Sequence, residues 1–515
     1  MTPVQEAELA AALTDRAASK KPSVSAQLVA LAMTRACFIR GEDSQTYAVA
    51  LDAPGIAQPL RGEGSFRKQL SSSFYDETGQ VASANALSDA LVVLDARADL
   101  TDPQPVFQRV IPTEDGVLLD LGRPDLQVVE VDEVGWRVRP LAAGDPLLRR
   151  SRTMGVMPIP SVGGELEPLW DVLNVRHQDQ ALLIGWMAAA FLPNVAQPFI
   201  LLKGEQGTGK TTAARMLLSL LDPGAGQMTS APRTDRDFGV AAQGRAVLGL
   251  DNLSTISATL SDAICRAVTG ESIVNRALYT DDGLSILSYR IALIVTAIDP
   301  GALRGDLAEH MLPIELAPLG QRRRSERELL AAFEQAKPAL LGALLDEVAA
   351  VLRHWLPAEG QEPETGWPRM ADFGRVLGAL DLAQGTTSLN SYVQTTEDNE
   401  KDVISGHPLA DAVVQLAKAG SWRGSSAELL RAVTRERDFT FDERRGWKTP
   451  QELGQTLSRL TKNLRLLGVA VVQGRSNGKR YIDIAMVDPA DYDVVEVRPR
   501  AWRPQEVAPF RRPAS

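Results

Sequence analysis

Between about residues 195 and 320 the apolar positions come as short unbroken runs separated by stretches with helical spacing. The runs are Pro198 to Lys203 (PFILLK), Ala246 to Leu250 (AVLGL) and Ile291 to Val295 (IALIV). A strand covered on both faces needs apolar side chains at consecutive positions, so the block reads as α/β around a parallel sheet. Before it, residues 1 to about 110 alternate short helical and strand-like patterns. Ser65 to Phe74, with a basic face, and Ala84 to Ala96 both read as helices. Val106 to Val138 reads as several short strands, with turns at Glu114-Asp115-Gly116 and Gly122-Arg123-Pro124. A Pro/Gly-rich connector, Met157 to Gly164, leads into a helical segment over Glu165 to Leu192. Its predicted core residues are Trp170, Leu173, Leu182, Leu183, Trp186 and Phe191.

After the central block, Ser325 to Trp355 is helical with an interruption expected at Pro338, because proline lacks the N–H that a helix interior needs. Met370 to Leu382 is another helix, and polar Gly385 to Asp402 reads as a loop or linker. A smaller unit spans about Pro408 to Val487. Ser425 to Glu436 is helical, and Thr449 to Leu467 makes one or two helices with Thr449 as N-cap and Pro450 at the first position. Leu453, Leu457, Leu460, Leu464 and Leu467 form its apolar stripe. Strands Val469 to Gln473 and Lys479 to Met486 follow, joined by Gly474-Arg475-Ser476-Asn477-Gly478. The remaining residues are rich in Pro, Arg and acids and read as irregular. No internal repeat is visible.

Composition narrows the class. With 515 residues, 44% hydrophobic and 23% charged, the chain is a soluble globular protein of two to four domains. The longest apolar run, Ala181 to Leu192, is cut by Pro193 and is too short for a bilayer. Met1 to Lys21 lacks the apolar core of a secretory signal. Two cysteines, Cys37 and Cys265, give no disulfide framework. A cytoplasmic location without membrane contact is the expectation. Four scattered histidines make a zinc site unexpected, and no paired-carboxylate polymerase motif supports primase activity. The net charge of −10 is uneven: Ser421 to Ser515 carry 18 Lys/Arg against 12 Asp/Glu. A basic end on an acidic body points to nucleic-acid contact there, or to a solvated basic surface.

The chemistry lies after the first apolar run. Gly204-Glu205-Gln206-Gly207-Thr208-Gly209-Lys210-Thr211, followed by Thr212, is G-x-x-x-x-G-K-[ST] between a strand and a helix. The glycines let backbone N–H groups converge on phosphate oxygens, and the helix start adds partial positive charge. Lys210 is expected to reach the β- and γ-phosphates of ATP, and Thr211 to bind Mg²⁺. The second half of such a site is a carboxylate after another buried strand. Asp251 follows Ala246 to Leu250 and is the expected Mg²⁺ partner. The next residue, Asn252, cannot take a proton; it can orient water or sense the γ-phosphate. Thr296 ends the third run and is the candidate sensor.

These strands and their spacing resemble the superfamily 3 branch of AAA+ ATPases, the helicases of viruses and mobile elements. More closely, the chain is similar to ATP-binding proteins of bacterial phage-like and integrative elements. The carrying residues are Gly204 to Thr212 (GEQGTGKTT), Leu250 to Ser254 (LDNLS), Ser261 to Arg266 with Thr269-Gly270, Arg276 to Asp281, and Asp306-Leu307. The resemblance implies a homo-oligomeric, hexameric ring in which a neighbour's arginine completes each ATP site. His310 stands where the family pattern has that arginine, so Arg304, Arg276 and Arg266 are the substitutes. Arg322, Arg323 and Arg324 open the following lid. Asn275 to Tyr289 reads as a hairpin with Asp281-Asp282-Gly283 at its tip. The related helicases aim such a hairpin at DNA. The acidic tip here repels phosphate, which leaves Tyr279 or backbone groups for contact.

In the C-terminal unit, helices followed by a two-stranded hairpin with a basic tip are the order of a winged helix. Arg459, Lys462 and Arg465 on the helix and Arg475, Lys479 and Arg480 on the wing are the candidate DNA contacts. Protein contact is the alternative use. The predicted organisation is thus an α+β accessory domain (1–156), an AAA+ P-loop core with preceding helices (157–325), a helical lid and linker (326–402), a winged helix (403–488) and an irregular tail (489–515). The expected activity is ATP-driven movement on DNA in replication of a mobile element. An ATP-controlled DNA-binding switch or loader, or a defence ATPase sensing phage nucleic acid, are the alternatives.

Overall fold

The computed structural model describes residues 22–62, 65–270, 273–276, 284–287, 290–297, 305–318, 325–355, 360, 362–363, 366–405, 407–436, 449–476 and 479–487. Its centre is a five-stranded parallel sheet. In chain order the central elements are β1 (Phe199–Lys203), α1 (Lys210–Leu221), β2 (Met228–Thr229), α2 (Asp235–Ala242), β3 (Val247–Leu253), α3 (Ala258–Thr269), β4 (Ala292–Ala297) and β5 (Met311–Glu315). The spatial order is β2-β3-β4-β1-β5, with every pair parallel. Phe199 to Leu202 and Leu293 to Val295 are wholly buried, as expected of strands with helices on both faces. β3 does not stop at Leu250. It continues through Leu253 with a register irregularity between Leu250 and Leu253, so Asp251 lies within the strand.

Four helices follow or flank the sheet differently from the sequence expectation. The segment 165–192 is two helices, Glu167–Trp170 and His177–Ala189. Trp170 is only partly buried, while Leu173, Leu182, Leu183, Trp186 and Phe191 are core. Pro338 interrupts nothing: α4 (Glu326–His354) runs through it. The connector lies across that point, with the Ser161 N–H donating to the Pro338 carbonyl at 2.9 Å. α4 opens with a capping box of Ser325 and Glu328. After α5 (Ala371–Gln384), the polar stretch expected to be a linker is helix α6 (Ser388–Ser405). Asp381 accepts from the N–H groups of Ser388 (2.8 Å) and Leu389 (2.9 Å), which supplies the cap from outside the segment. Leu389 and Tyr392 then enter the core, with Val393 packed against it; the surrounding polar residues mask this stripe in the sequence.

The N-terminal part has helices Val24–Arg35, Phe66–Thr78 and Ala84–Ala98 around a core of their own, beside a three-stranded antiparallel sheet. A four-stranded antiparallel sheet follows (Val110–Pro112, Gly116–Asp120, Gln127–Asp132, Trp136–Pro140). Its side chains alternate: Val117, Leu119, Val129 and Val131 join the central core, whereas Leu118 and Val128 face a separate small cluster. Arg109, 1% exposed, ties this sheet to the centre. Its Nε donates to Asp222 Oδ1 at 2.8 Å, and its other nitrogens donate to the carbonyls of Asp120, Gly155 and Pro223, each at 3.0 Å.

The C-terminal unit contains α7 (Pro408–Ala419), β6 (Trp422–Gly424), α8 (Ser426–Glu436), α9 (Pro450–Leu466), β7 (Val469–Ser476) and β8 (Lys479–Met486). The sheet order is β6-β8-β7, antiparallel throughout. Thr449 and Glu452 form a capping box that starts α9 as one helix. Leu453, Leu457 and Leu464 are fully buried in a core separate from the central one. Among the described residues no helix is long and apolar enough to cross a membrane.

Candidate functional site

β1 delivers the chain to the glycine loop, and α1 begins at Lys210. Gly209 stands at the N-cap with φ of 82°, a conformation that side chains with Cβ rarely adopt. At Gly204 a Cβ would meet Thr208 Oγ1 at 2.8 Å. Thr208 is buried and turned inward. Its N–H and its Oγ1 both donate to the Glu205 carbonyl, at 3.3 and 2.9 Å, and brace the loop from within. Glu205, Gln206 and Gly207 are exposed at its tip, and Thr212 is half-buried on α1. No side chain caps the first N–H groups of α1, and its first turn has no acidic residue. Such a start attracts an anion. Lys210 Nζ donates to the carbonyls of Gly204 (2.8 Å) and Glu205 (2.9 Å). Desolvation holds its ammonium below the ordinary lysine value.

The other half of the site stands beside it. Thr211 Oγ1 donates to Asp251 Oδ1 at 2.8 Å, and Thr296 Oγ1 donates to the same oxygen at 2.7 Å. Thr296 is 1% exposed and pairs in register with Leu202 of β1, the strand that leads into the glycine loop. Asn252 takes part through its backbone: φ is 55°, the side chain is exposed, and its N–H donates to Thr296 Oγ1 at 2.8 Å. Hydroxyl and carboxylate oxygens meeting beside a lysine are the donor set of a hard divalent cation that is also held by phosphate. Thr211 and Asp251 are the residues that fit Mg²⁺.

Sequence reasoning missed Asn174. Its Nδ2 donates to the Thr208 carbonyl at 3.1 Å and also to the Ala317 carbonyl, fastening the glycine loop to the end of the neighbouring strand β5. An asparagine between two helices has no local signature; only the chain's return past the loop gives it this role.

Of the candidate arginines, Arg266 is the one whose side chain is described. Arg266 donates to Asp235 of its own chain at 2.9 Å. Arg304 lies outside the described residues, as do Arg322 to Arg324 and the side chain of Arg276. His310 is buried, and its Nε2 accepts from Arg369 Nε at 3.1 Å. The strands Ile273–Arg276 and Leu284–Leu287 pair antiparallel as a hairpin requires. Tyr279 and the tip Asp281-Asp282-Gly283 lie outside the described residues.

The basic candidates of the C-terminal unit form a second, separate group. Arg475 and Arg480 are exposed and face each other across β7 and β8. Arg459 is exposed on α9 and Arg465 is half-buried. The side chains of Lys462 and Lys479 lie outside the described residues, as does Trp447.

Comparison with known proteins follows the same division. Some solved structures align over most of the chain. The apo C-terminal region of NrS-1 is 11% identical with a TM-score of 0.38, covering 91% of this chain and 100% of that one. The SCCmec type IV Cch active helicase is 11% identical with a TM-score of 0.44, covering 90% and 94%. The JCV helicase is 16% identical with a TM-score of 0.23, covering 46% and 66%. All three are too remote to argue from. No curated protein matches the chain. Residues 168–402 match the model of the actinomycete integrative conjugative element replication protein, and residues 409–499 match the model of that family's C-terminal domain. Together these matches span well over half of the sequence, and the chain belongs to the replication proteins of actinomycete integrative conjugative elements.

Proposed function

We propose that this replication protein is an ATP-hydrolysing motor of the AAA+ P-loop kind that moves on or unwinds DNA. The observation that carries the reading is the convergence of Thr211 and Thr296 on one oxygen of Asp251, beside Lys210 and an uncapped helix start. In this reading the loop N–H groups and α1 hold the β- and γ-phosphates, with Lys210 exchanging its carbonyl partners for phosphate oxygens. Thr211 and Asp251 hold Mg²⁺, which offsets the charge that develops on the transferred phosphoryl group. Thr296, in contact with both Asp251 and Asn252, reports whether a γ-phosphate is present. A neighbour's arginine, Arg304, Arg276 or Arg266, completes the site in a hexameric ring.

The C-terminal unit is read as a winged helix that binds duplex DNA. Support comes from its order of helix, strand, two helices and two-stranded hairpin, and from Arg475 and Arg480 side by side on that hairpin. The family assignment favours replication over phage sensing.

A second reading, an ATP-driven switch or loader, is favoured by Asn252. Where a glutamate would serve as general base, this chain has an exposed amide that cannot accept a proton. ATPase assays with and without single- and double-stranded DNA, beside strand displacement on a forked duplex, separate the two. Unwinding supports the motor; DNA-stimulated hydrolysis without unwinding supports the switch. Hydrolysis undiminished in Lys210→Ala sinks both.

A further inference from the structure

α9 has two opposed faces. Leu453, Leu457 and Leu464 point into the core of the C-terminal unit, while Gln451, Gln455 and Ser458 are exposed on the other side at i, i+4, i+7 spacing. Gln473, Arg475 and Arg480 of the hairpin stand across from that polar face, and the six side chains line one open groove. Among the described residues no carboxylate lines it. Ser458 and Gln473 hydrogen-bond each other at 3.1 Å, which fixes the strand against the helix. Gln451 and Gln455 have no side-chain partner among the described residues, so both amides are free for a ligand. Arg475 and Arg480 are direct partners in the ladder. Like charges directly opposite repel unless an anion sits between them.

We infer that this groove takes duplex DNA with α9 in the major groove, where Gln451 and Gln455 read adenine edges while Arg475 and Arg480 clamp one backbone phosphate. The inference rests on the winged-helix reading and adds what the unit reads. A glutamine amide presents an N–H donor and a carbonyl acceptor side by side in one plane, the complement of adenine N7 and N6. A guanidinium pair carries no sequence information but fixes the register in which the helix is presented. The basic residues proposed from sequence on α9, Arg459 and Arg465, are not among the groove-lining side chains, which leaves uncharged amides where base edges would lie.

The test is selection of binding sites by the full chain from randomised duplex DNA, followed by titrations at several salt concentrations. The wild type is expected to recover a short motif with fixed adenines. Gln451→Ala and Gln455→Ala each remove preference at one position by roughly tenfold or more, with affinity for unrelated duplex and its salt slope unchanged. Alanine is the best helix former, so neither change is expected to disturb α9, and an unchanged thermal unfolding transition of the C-terminal unit checks the fold. Arg475→Ala with Arg480→Ala weakens binding to every sequence and flattens the salt slope by about one unit for each phosphate no longer neutralised. Duplex binding with no sequence preference, or a preference that survives both glutamine changes, overturns the inference and leaves the winged-helix reading standing. No duplex binding dependent on Arg475 and Arg480 overturns both.

Discussion

Thr211 and Asp251 are 40 positions apart in the chain and 2.8 Å apart in space, hydroxyl oxygen to carboxylate oxygen. Thr211 lies in the first turn of the helix that follows β1; Asp251 sits in β3, two strands away across β4. The pairing exists because both lie at the same end of a parallel sheet, where ligands of open α/β sheets bind.

Breaking this pairing tests the site. Thr211→Val keeps the branched shape and removes the hydroxyl; Asp251→Asn keeps an acceptor and removes the charge. If the pair holds Mg²⁺ as proposed, its loss costs several kcal/mol of charge stabilisation, and ATP hydrolysis is then expected to fall by roughly a hundredfold or more in either variant. Steady-state phosphate release with thermal unfolding in parallel distinguishes this from misfolding.

In the proposed function Thr296 serves the site and the fold together. Thr296→Val leaves the Asn252 N–H without its acceptor and Asp251 with one donor fewer. The unpaired group costs about 1–3 kcal/mol, and hydrolysis falls with it. Thr296→Ser restores the hydroxyl and both properties. A serine variant as inactive as the valine one removes the hydroxyl from the explanation.

Arg109 predicts a pure stability effect. Its pair with Asp222 is buried, with side-chain exposures of 2% and 7%. Asp222 Oδ2 also accepts from the N–H groups of Ala246 (2.8 Å) and Val247 (3.2 Å), at the foot of β3. Arg109→Met strands that carboxylate, and breaking one side of a buried pair costs about 3–5 kcal/mol. Denaturant unfolding is expected to show the loss, while turnover per folded molecule is kept at low temperature.

His407 makes the C-terminal unit sensitive to acid. Its Nδ1 accepts from the Leu409 N–H at 3.2 Å and caps α7. Burial is the main cause of a pKa below the ordinary 6.5. A lowered histidine pKa means the neutral form is preferred when folded. The contribution is therefore whole above pH 6.5 and is lost as pH falls through the lowered value. An N-cap is worth about 1 kcal/mol. Unfolding of this unit, followed from about pH 8 to about pH 5, should weaken in the wild type and stay flatter in His407→Asn. Identical profiles would remove His407 as the cause.

The two cysteines should differ in reactivity. Cys37 is exposed. Burial, with Asp306 adding to it, pushes the Cys265 thiol up to about 12. Alkylation of the folded chain at about pH 8 is expected to label one thiol, with the second reacting only after unfolding.

The strand–loop–helix at Lys210 and the strands carrying Asp251 and Thr296 were legible from the order of residues. Each depends on local facts: glycines where the chain must turn sharply, and apolar runs that only a doubly covered strand can use. The same holds for α9, whose cap, proline and leucine stripe all lie within one segment. Packing settled what local pattern leaves open. α6 is helical because Asp381, on another helix, caps it and because the core accepts Leu389 and Tyr392. Pro338 stays within α4, with Ser161 bonded to its carbonyl. The sheet order alone brings Thr211, Thr296 and Asp251 to one oxygen, and the chain's return at Asn174 fastens the loop. Hydrogen bonds between residues far apart in sequence leave no periodicity behind, so these features become visible only once the strands are in their places.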